Sequence, residues 1–556
     1  MTESPMTPWK RFIGLMQLDK KDIRQVIYYA IFAGIVSLSL PLGIQAIINL
    51  IQGAQVSSSW IILVVLVTLG TGFQGILQVM QLRILENIQQ KIFTRASFEF
   101  AYRFPKIKMS ELRNNYPPEL ANRFFDILTI QKGMPKILID FPAALLQIFF
   151  GLLLLSFYHP FFIIYGFLLV LLIYIVFKFT AKKGLETSLY ESKNKYKVAH
   201  WIQEIARSLI SFKLSGKTNL AMERNDELTT GYLKARENHF KILLLQFIQM
   251  IGFKILVTAG LLIIGGLLVL NQQMNIGQFV AAEIIILLVI SSVEKLIRGL
   301  ESFYDVLTSL EKIGQVVDKE LEIQKGENPF ASTQGLKLEL DKIKYTTPEG
   351  QDVLNCVDFD LSLEDRVLLD GSSGSGKTTL LKILSGLISP TSGTLYVNDT
   401  SIKGVCMTEY RAEIGQVLPS QLPFEGTILE NITFGNPTIA QDHLHAVLKN
   451  VGLLDFVKEK PMGLKTILYP EGQQIPHTVS KRIVLARAII NSPKLLLLKD
   501  PLEHFEPKEA KRIIDYLTDP ERPWALLVSS QNLYWKQKCN RTIIIVKGNV
   551  VAKKGK

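Results

Sequence analysis

Residues 366 to 387 read RVLLDGSSGSGKTTLLKILSGL, and three kinds of local sequence follow one another within them. Arg366 to Asp370 is a short apolar run, the pattern of a buried strand. Gly371, Ser372, Ser373, Gly374, Ser375 and Gly376 are loop formers, and Lys377, Thr378 and Thr379 open a helix-forming run. Strand, glycine-rich loop and helix in that order are the context that G-x-x-x-x-G-K-[ST] requires. Glycines let backbone N–H groups turn toward phosphates, and the helix N-terminus adds positive potential. Lys377 reaches the β- and γ-phosphates, and the Thr378 hydroxyl can ligate Mg²⁺. The stretch therefore predicts a nucleotide site, Gly371 to Thr379, on an α/β domain.

Around this stretch, residues 336 to 556 show the mixed polarity, turn residues and short apolar strands of a soluble α/β domain. Residues 318 to 335, DKELEIQKGENPFASTQG, are polar and turn-rich and read as a linker. Upstream the chain changes character. It has 556 residues, 48% hydrophobic and only 20% charged, and nearly all the long apolar runs lie between residues 26 and 300. A bilayer span needs about 20 apolar residues of helix. Six segments qualify: Val26 to Ile51, Ile61 to Met80, Phe141 to Tyr158, Phe161 to Phe179, Ile242 to Leu270 and Phe279 to Val293. The expected organisation is a cytoplasmic N-terminal segment (1–25), a transmembrane domain with long cytoplasmic helical extensions (26–317), the linker (318–335) and the nucleotide-binding domain (336–556).

The net charge of +12 raises the question of nucleic acid, and the placement of the charge answers it. The short connections, Gln52 to Ser59, His159-Pro160 and Asn271 to Gln278, contain no Lys or Arg. The long ones are rich in both, from Arg83 to Lys136 in the first and from Lys182 to Arg236 in the second. The positive-inside rule puts the long connections and both termini in the cytoplasm, which explains the basic character without nucleic acid. Leu82 to Phe104 and Leu185 to Ser215 contain few helix breakers, so the spans are expected to continue as helices beyond the membrane. Pro41 should kink the first span. Lys254 and Glu283 lie within spans, where they line a substrate path, pair with each other, or snorkel to the interface. Cys356, Cys406 and Cys539 lack metal-ligand spacing and read as reduced thiols. The N-terminal MTESPMTPWKRF has no apolar signal segment, so the first span is expected to act as the insertion signal.

Six spans with two long helical excursions, followed by GSSGSGKTTL, LSGLISPTSGTL, RAEIGQV, GTILENITFGNP and KRIVLARAIINSPKLLLL, resemble an ATP-binding-cassette (ABC) half-transporter of the exporter type. LPLGIQAIINL and IGQFVAAEII look most like bacterial type I secretion and peptide exporters. The resemblance implies a six-helix transmembrane domain followed by an α/β P-loop domain, with ATP as ligand and Tyr345 as the adenine-stacking aromatic.

The same resemblance exposes departures. The family's strand ends in Asp-Glu, for Mg²⁺ and for the attacking water; here SPKLLLLKDP puts Lys499 at the first position and Asp500 at the second. A one-residue slip would make Asp500 the metal ligand and Pro501 the base. Neither register supplies both groups, and Asp500 is at most a weak base. The signature Leu-Ser-Gly-Gly-Gln is replaced by Ile475, Pro476, His477, Thr478 and Val479. Pro419 stands where the metal-sensing Gln belongs, with Gln421 two places later as a candidate Mg²⁺ ligand beside Thr378. Ser530 takes the place of the γ-phosphate His.

The resemblance thus implies a transporter subunit for peptide, protein or lipid-like cargo that binds ATP but hydrolyses it poorly, with Mg²⁺ left open. Alternatives are a non-transporting regulatory or scaffold subunit of a secretion complex, or a slow ATPase using Asp500. Expected partners are the bilayer, a second half-transporter in a homodimer or heterodimer, and a periplasmic adaptor. The expected location is the bacterial inner membrane, with the N-terminus and nucleotide domain in the cytoplasm.

Overall fold

The computed structural model describes residues 6–53, 58–113, 115–331 and 335–555. The chain divides into two compact units, one of Met1–Pro105 and Asn114–Lys319, the other of Lys106–Arg113 and Glu320–Lys556.

The first unit is helical. Its helices are α1 (Pro8–Leu18), α2 (Lys20–Ser37), α3 (Ser39–Gln52), α4 (Ser58–Arg103), and beyond the segment at Met109–Leu112 (α5) that belongs to the second unit, α6 (Pro117–Ala121), α7 (Asp126–Pro135), α8 (Phe141–Ser156), α9 (Phe161–Arg207), α10 (Leu209–Leu214), α11 (Leu220–Leu270) and α12 (Ile276–Val317). Among the described residues, six helical segments are long and apolar enough to cross a membrane. The expected continuation of spans as long helices is seen in α4, which runs to Arg103; α9 runs to Arg207, and Ser208 then breaks the expected stretch before α10.

In the first span the helix breaks at Leu38, between α2 and α3. Pro41 explains the position: its ring clashes with the carbonyl four residues back, that of Ser37, where α2 stops. Lys254 is exposed on α11 and Glu283 is half-buried on α12, with no ion pair between them among the described residues.

Packing within this unit changes along the helices. Where α8, α9, α11 and α12 are apolar, they share a cluster that includes Ile148, Leu155, Phe162, Val257, Ile285 and Val289. Farther along, buried polar side chains join the same helices. The Gln246 amide of α11 donates to the Thr180 hydroxyl of α9 at 2.9 Å and to the Tyr304 hydroxyl of α12 at 3.0 Å. Ser188 and Thr308 share a hydrogen bond of 2.9 Å, and Arg123 lies 3.5 Å over the Tyr196 ring, whose hydroxyl donates to Asp126. Buried polar groups need such partners, and these networks specify which helix faces meet where hydrophobic pattern alone is weak.

The second unit is the α/β domain expected from the sequence. Its elements are β1 (Lys337–Thr346), β2 (Asp352–Ser362), β3 (Arg366–Asp370), α13 (Lys377–Leu384), β4 (Ser392–Val397), β5 (Thr400–Ser401), α14 (Met407–Ala412), β6 (Ile414–Val417), β7 (Gly426–Thr427), α15 (Ile428–Thr433), α16 (Gln441–Val451), α17 (Leu454–Glu459), β8 (Ile467–Leu468), α18 (His477–Ile489), β9 (Leu495–Lys499), α19 (Pro507–Thr518), β10 (Ala525–Ser529), α20 (Tyr534–Lys538), β11 (Arg541–Val546) and β12 (Asn549–Gly555). The central sheet has the order β12-β11-β3-β10-β9-β6, with β11, β3, β10, β9 and β6 parallel. Continuous apolar strands such as LLLL at 495–498 are fully buried, as expected for a parallel sheet covered on both faces. A second, antiparallel sheet has the order β2-β1-β4-β5.

Residues on the segment read as a linker take part in this unit. Phe330 is buried and stacks on Tyr410 with ring centroids 6.4 Å apart. Residues 106–113, within the first long connection, pair with the start of the same segment: Lys108 N–H donates to Glu320 O at 3.0 Å and Glu322 N–H to Lys106 O at 2.8 Å.

Asn431 of α15 is a buried polar group whose loss should be costly. Its Oδ1 accepts from Phe424 N–H at 2.9 Å and from Arg487 Nη2 at 3.0 Å, and its amide donates to the Phe424 and Thr427 carbonyls at 2.9 and 3.1 Å. Arg487 also lies over the rings of Phe424 and Phe434, and burial lowers its pKa to about 10. Asn431→Ala strands several of these groups at about 1–3 kcal/mol each. The thermal midpoint of this unit is expected to fall by roughly 6–12 °C, checked by calorimetry on the full chain.

Candidate nucleotide site

Strands β3, β10 and β9 lie side by side and end together, so Asp370, Ser529 and Lys499 come to the same edge of the sheet. Ligands of open parallel sheets bind outside this carboxyl edge. The phosphate loop leaves β3 there and enters α13, whose N-cap is Gly376. Gly371 has φ 148°, and a Cβ on it would lie 2.2 Å from the Ile545 carbonyl oxygen. The loop therefore needs glycine at that point for both conformation and space. Ser372, Ser373, Gly374 and Ser375 form its turn, and Thr378 and Thr379 follow Lys377 in the first turn of α13.

Lys377 Nζ folds back over the loop and donates to the Gly371 and Ser372 carbonyls, each at 2.7 Å, and to Ser375 Oγ at 3.2 Å. Burial lowers its pKa, and so does the neighbouring Lys499, against the opposing effect of Asp370 and Asp500. The two ammonium groups thus repel one another.

Lys499 is the last residue of β9 and forms an ion pair with Asp500 at 2.5 Å. Asp500 has φ 43°, and its N–H donates to Ser529 O at 2.8 Å. Ser530, the next residue after β10, accepts from Asn532 N–H at 3.3 Å through its hydroxyl. Gln421 closes its own turn: its side-chain oxygen accepts from Leu418 N–H at 3.0 Å across Pro419 and Ser420. The degenerate signature starts α18. Pro476 is the N-cap, Ile475 and Thr478 are half-buried, Val479 is buried, and exposed His477 meets the His504 ring edge-on at 5.9 Å.

A cleft of about 730 Å³ runs along α13 at Thr379 and Lys382 and is lined also by Tyr345, Val353 and Arg113 among others. Tyr345 is 9% exposed and belongs to the core of this unit, yet it borders the cleft, and its hydroxyl accepts from Arg113 Nη2. The structure places Tyr345 in the core of this unit with one edge on the cleft. The sequence reading missed Arg113, which lies 232 positions away in the chain. No local pattern could have found it.

The family ligands fit this site unequally. The loop and α13 offer ATP what its phosphates need: backbone N–H groups, Lys377 and Thr378. Mg²⁺ is different, because it needs several oxygen ligands at near-octahedral positions. Of the oxygens at this edge, Asp500 holds an ammonium, one Asp370 oxygen accepts Gly371 N–H at 2.7 Å, and that of Gln421 is in its turn. One oxygen each of Asp370 and Asp500 and the Thr378 hydroxyl remain, but the Lys499 ammonium at the metal position opposes a divalent cation by its charge.

Two family models cover most of the chain: the ABC transporter transmembrane region matches residues 26–293 and the ABC transporter model matches residues 354–503. The chain belongs to the ABC transporter family, as a half-transporter with both regions in one polypeptide. It is 25% identical over 326 residues to "Alpha-hemolysin translocation ATP-binding protein HlyB" of Escherichia coli O157:H7, covering 58% of this chain and 46% of that protein. It is 26% identical over 284 residues to an "ATP-dependent lipid A-core flippase" of Burkholderia thailandensis, covering 50% and 47%. The chain thus spans about half the length of the curated relatives it matches. The structure of a bacterial Atm1-family ABC exporter with ATP bound has the same fold, with a TM-score of 0.84 at 14% identity over 96% of this chain and 95% of that one.

Proposed function

We propose that this chain is a subunit of a dimeric ABC exporter of the bacterial inner membrane, its nucleotide domain in the cytoplasm, and that it binds ATP with little or no hydrolysis. The observation that carries the reading is the Lys499–Asp500 pair at 2.5 Å, at the strand end where the resemblance calls for a metal carboxylate followed by a base. An ammonium cannot accept a proton from water, and the adjacent carboxylate already holds that ammonium. Ser530 in place of His and Gln421 in its own turn remove two further groups.

Damage on both sides of the composite site bears on the partner. In the family each site combines one chain's phosphate loop with the other's signature. Two copies of this chain make two impaired sites. A complete partner leaves one site short of hydrolytic residues and the other short of a signature. ATP then acts as a holding ligand of the dimer. The two relatives named above are a translocation protein for alpha-hemolysin and a lipid A-core flippase, so peptide or protein and lipid-like cargo both stay within the proposal.

The test is ATP binding and phosphate release by the protein in lipid discs, alone and with any co-purifying half-transporter, with Lys377→Ala as control. Losing one transition-state group costs about 2.7–4 kcal/mol, or roughly 10²–10³ in rate, and several are missing here. Phosphate release is expected to be at least about 100-fold slower than that of a complete exporter measured alongside. Ordinary turnover that disappears in Lys377→Ala would overturn the reading.

A further inference from the structure

We propose that this site takes its nucleotide without a divalent cation, with Lys499 as the resident counter-cation to the terminal phosphates. The inference rests on the nucleotide-binding reading above and goes beyond it.

Position comes first. Lys499 pairs in register with Ser529, on the strand next to β3, so its Cα is fixed at the edge where the phosphate loop begins. The side chain is 18% exposed, which keeps its ammonium close to the protein surface of the site rather than free in solvent. Lys499 helps to lower the pKa of Lys377, the effect of one positive charge on another. A ligand that carries several negative charges relieves that repulsion, whereas a divalent cation adds to it.

Donor count comes second. An ammonium has three N–H donors. Lys499 uses one on Asp500 at 2.5 Å, which leaves two for phosphate oxygens. Lys377 is held by the Gly371 and Ser372 carbonyls at 2.7 Å, weak acceptors that a phosphate replaces. Before nucleotide arrives, both cations therefore have internal acceptors; afterwards both bond the same anion. A cation-bound nucleotide would need to bring Mg²⁺ beside two ammonium groups, with Thr378 as the remaining hydroxyl ligand. The Lys at the metal position supplies a positive charge where the metal would supply one, without its ligand demands.

The experiment measures binding of a fluorescent ATP analogue to the full chain in lipid discs, in excess EDTA and in excess Mg²⁺. The expected dissociation constants agree within about threefold. Lys499→Asp is expected to reverse this: affinity in EDTA drops by about tenfold or more and Mg²⁺ restores it. Lys499→Met, which keeps the bulk of the side chain, should lose the metal-free affinity without gaining a metal response. A wild-type protein that needs Mg²⁺ for binding by tenfold or more overturns the inference and leaves the nucleotide-binding reading standing. Absence of binding in both buffers overturns that reading and this inference with it. Because the decisive comparison uses the wild-type chain, it stands even if a variant fails to fold.

Discussion

Gly371→Ala is expected to weaken ATP binding by at least about 100-fold, through a combination of backbone and steric strain. The φ of 148° lies where an L side chain is rarely found, which costs of order 1–3 kcal/mol by itself. The new Cβ would also stand 2.2 Å from the Ile545 carbonyl, part of β11 in the central sheet, and 2.9 Å from Ser375 Oγ. A sheet carbonyl cannot step aside as a flexible side chain can. The loop must therefore move off the edge of β3, and its N–H groups and the cradle of Lys377 move with it. Gly374→Ala is the control, since φ is positive at 78° but nothing lies within 4 Å of its Cβ. That variant should lose only about 1–2 kcal/mol, the ordinary cost of a left-handed alanine. Titration with a fluorescent nucleotide reads both. Equal losses in the two variants would mean that the β11 contact does not shape the loop.

The contrast between these glycines also marks what a sequence can disclose. Strand, loop and helix at 366–387 were legible because each has a local signature, and the spans were legible because apolar length is a property of contiguous residues. Pro41 announced a distortion, but its place, at Leu38, follows from which carbonyl the ring meets. The neighbours of Tyr345 were not legible. Arg113 reaches its hydroxyl from a segment inserted between the second and third spans, and Lys106–Arg113 joins the second unit through backbone pairing with residues 320–322. Such pairing leaves little trace in residue type. Gln421 is a third case: its type suits a metal ligand, but the turn at 418–421 uses the amide oxygen first. The substitution of Lys499 was plain in the sequence, whereas its pairing with Asp500 and its electrostatic effect on Lys377 needed the strand register.

Lys377→Ala should reduce ATP affinity by about 10- to 150-fold, the worth of a charge-assisted contact of about 1.5–3 kcal/mol. The fold should tolerate it. The Gly371 and Ser372 carbonyls that lose the ammonium sit in a loop open enough for water to replace it, so the thermal midpoint should shift by only about 2–4 °C. Lys377→Arg keeps the charge, but a planar guanidinium does not match three acceptors grouped around one nitrogen, and its affinity should fall between the two. The stronger measurement is the double-mutant cycle with Lys499→Met. If both ammonium groups meet the same phosphates, removing one lets the nucleotide settle toward the other, and the losses will not add. The expected coupling is about 0.5–3 kcal/mol, the range for residues that share a partner. Strict additivity would place the two lysines on separate parts of the ligand and remove Lys499 from the terminal phosphates. A normal affinity in Lys377→Ala alone would mean that nucleotide is held away from the loop.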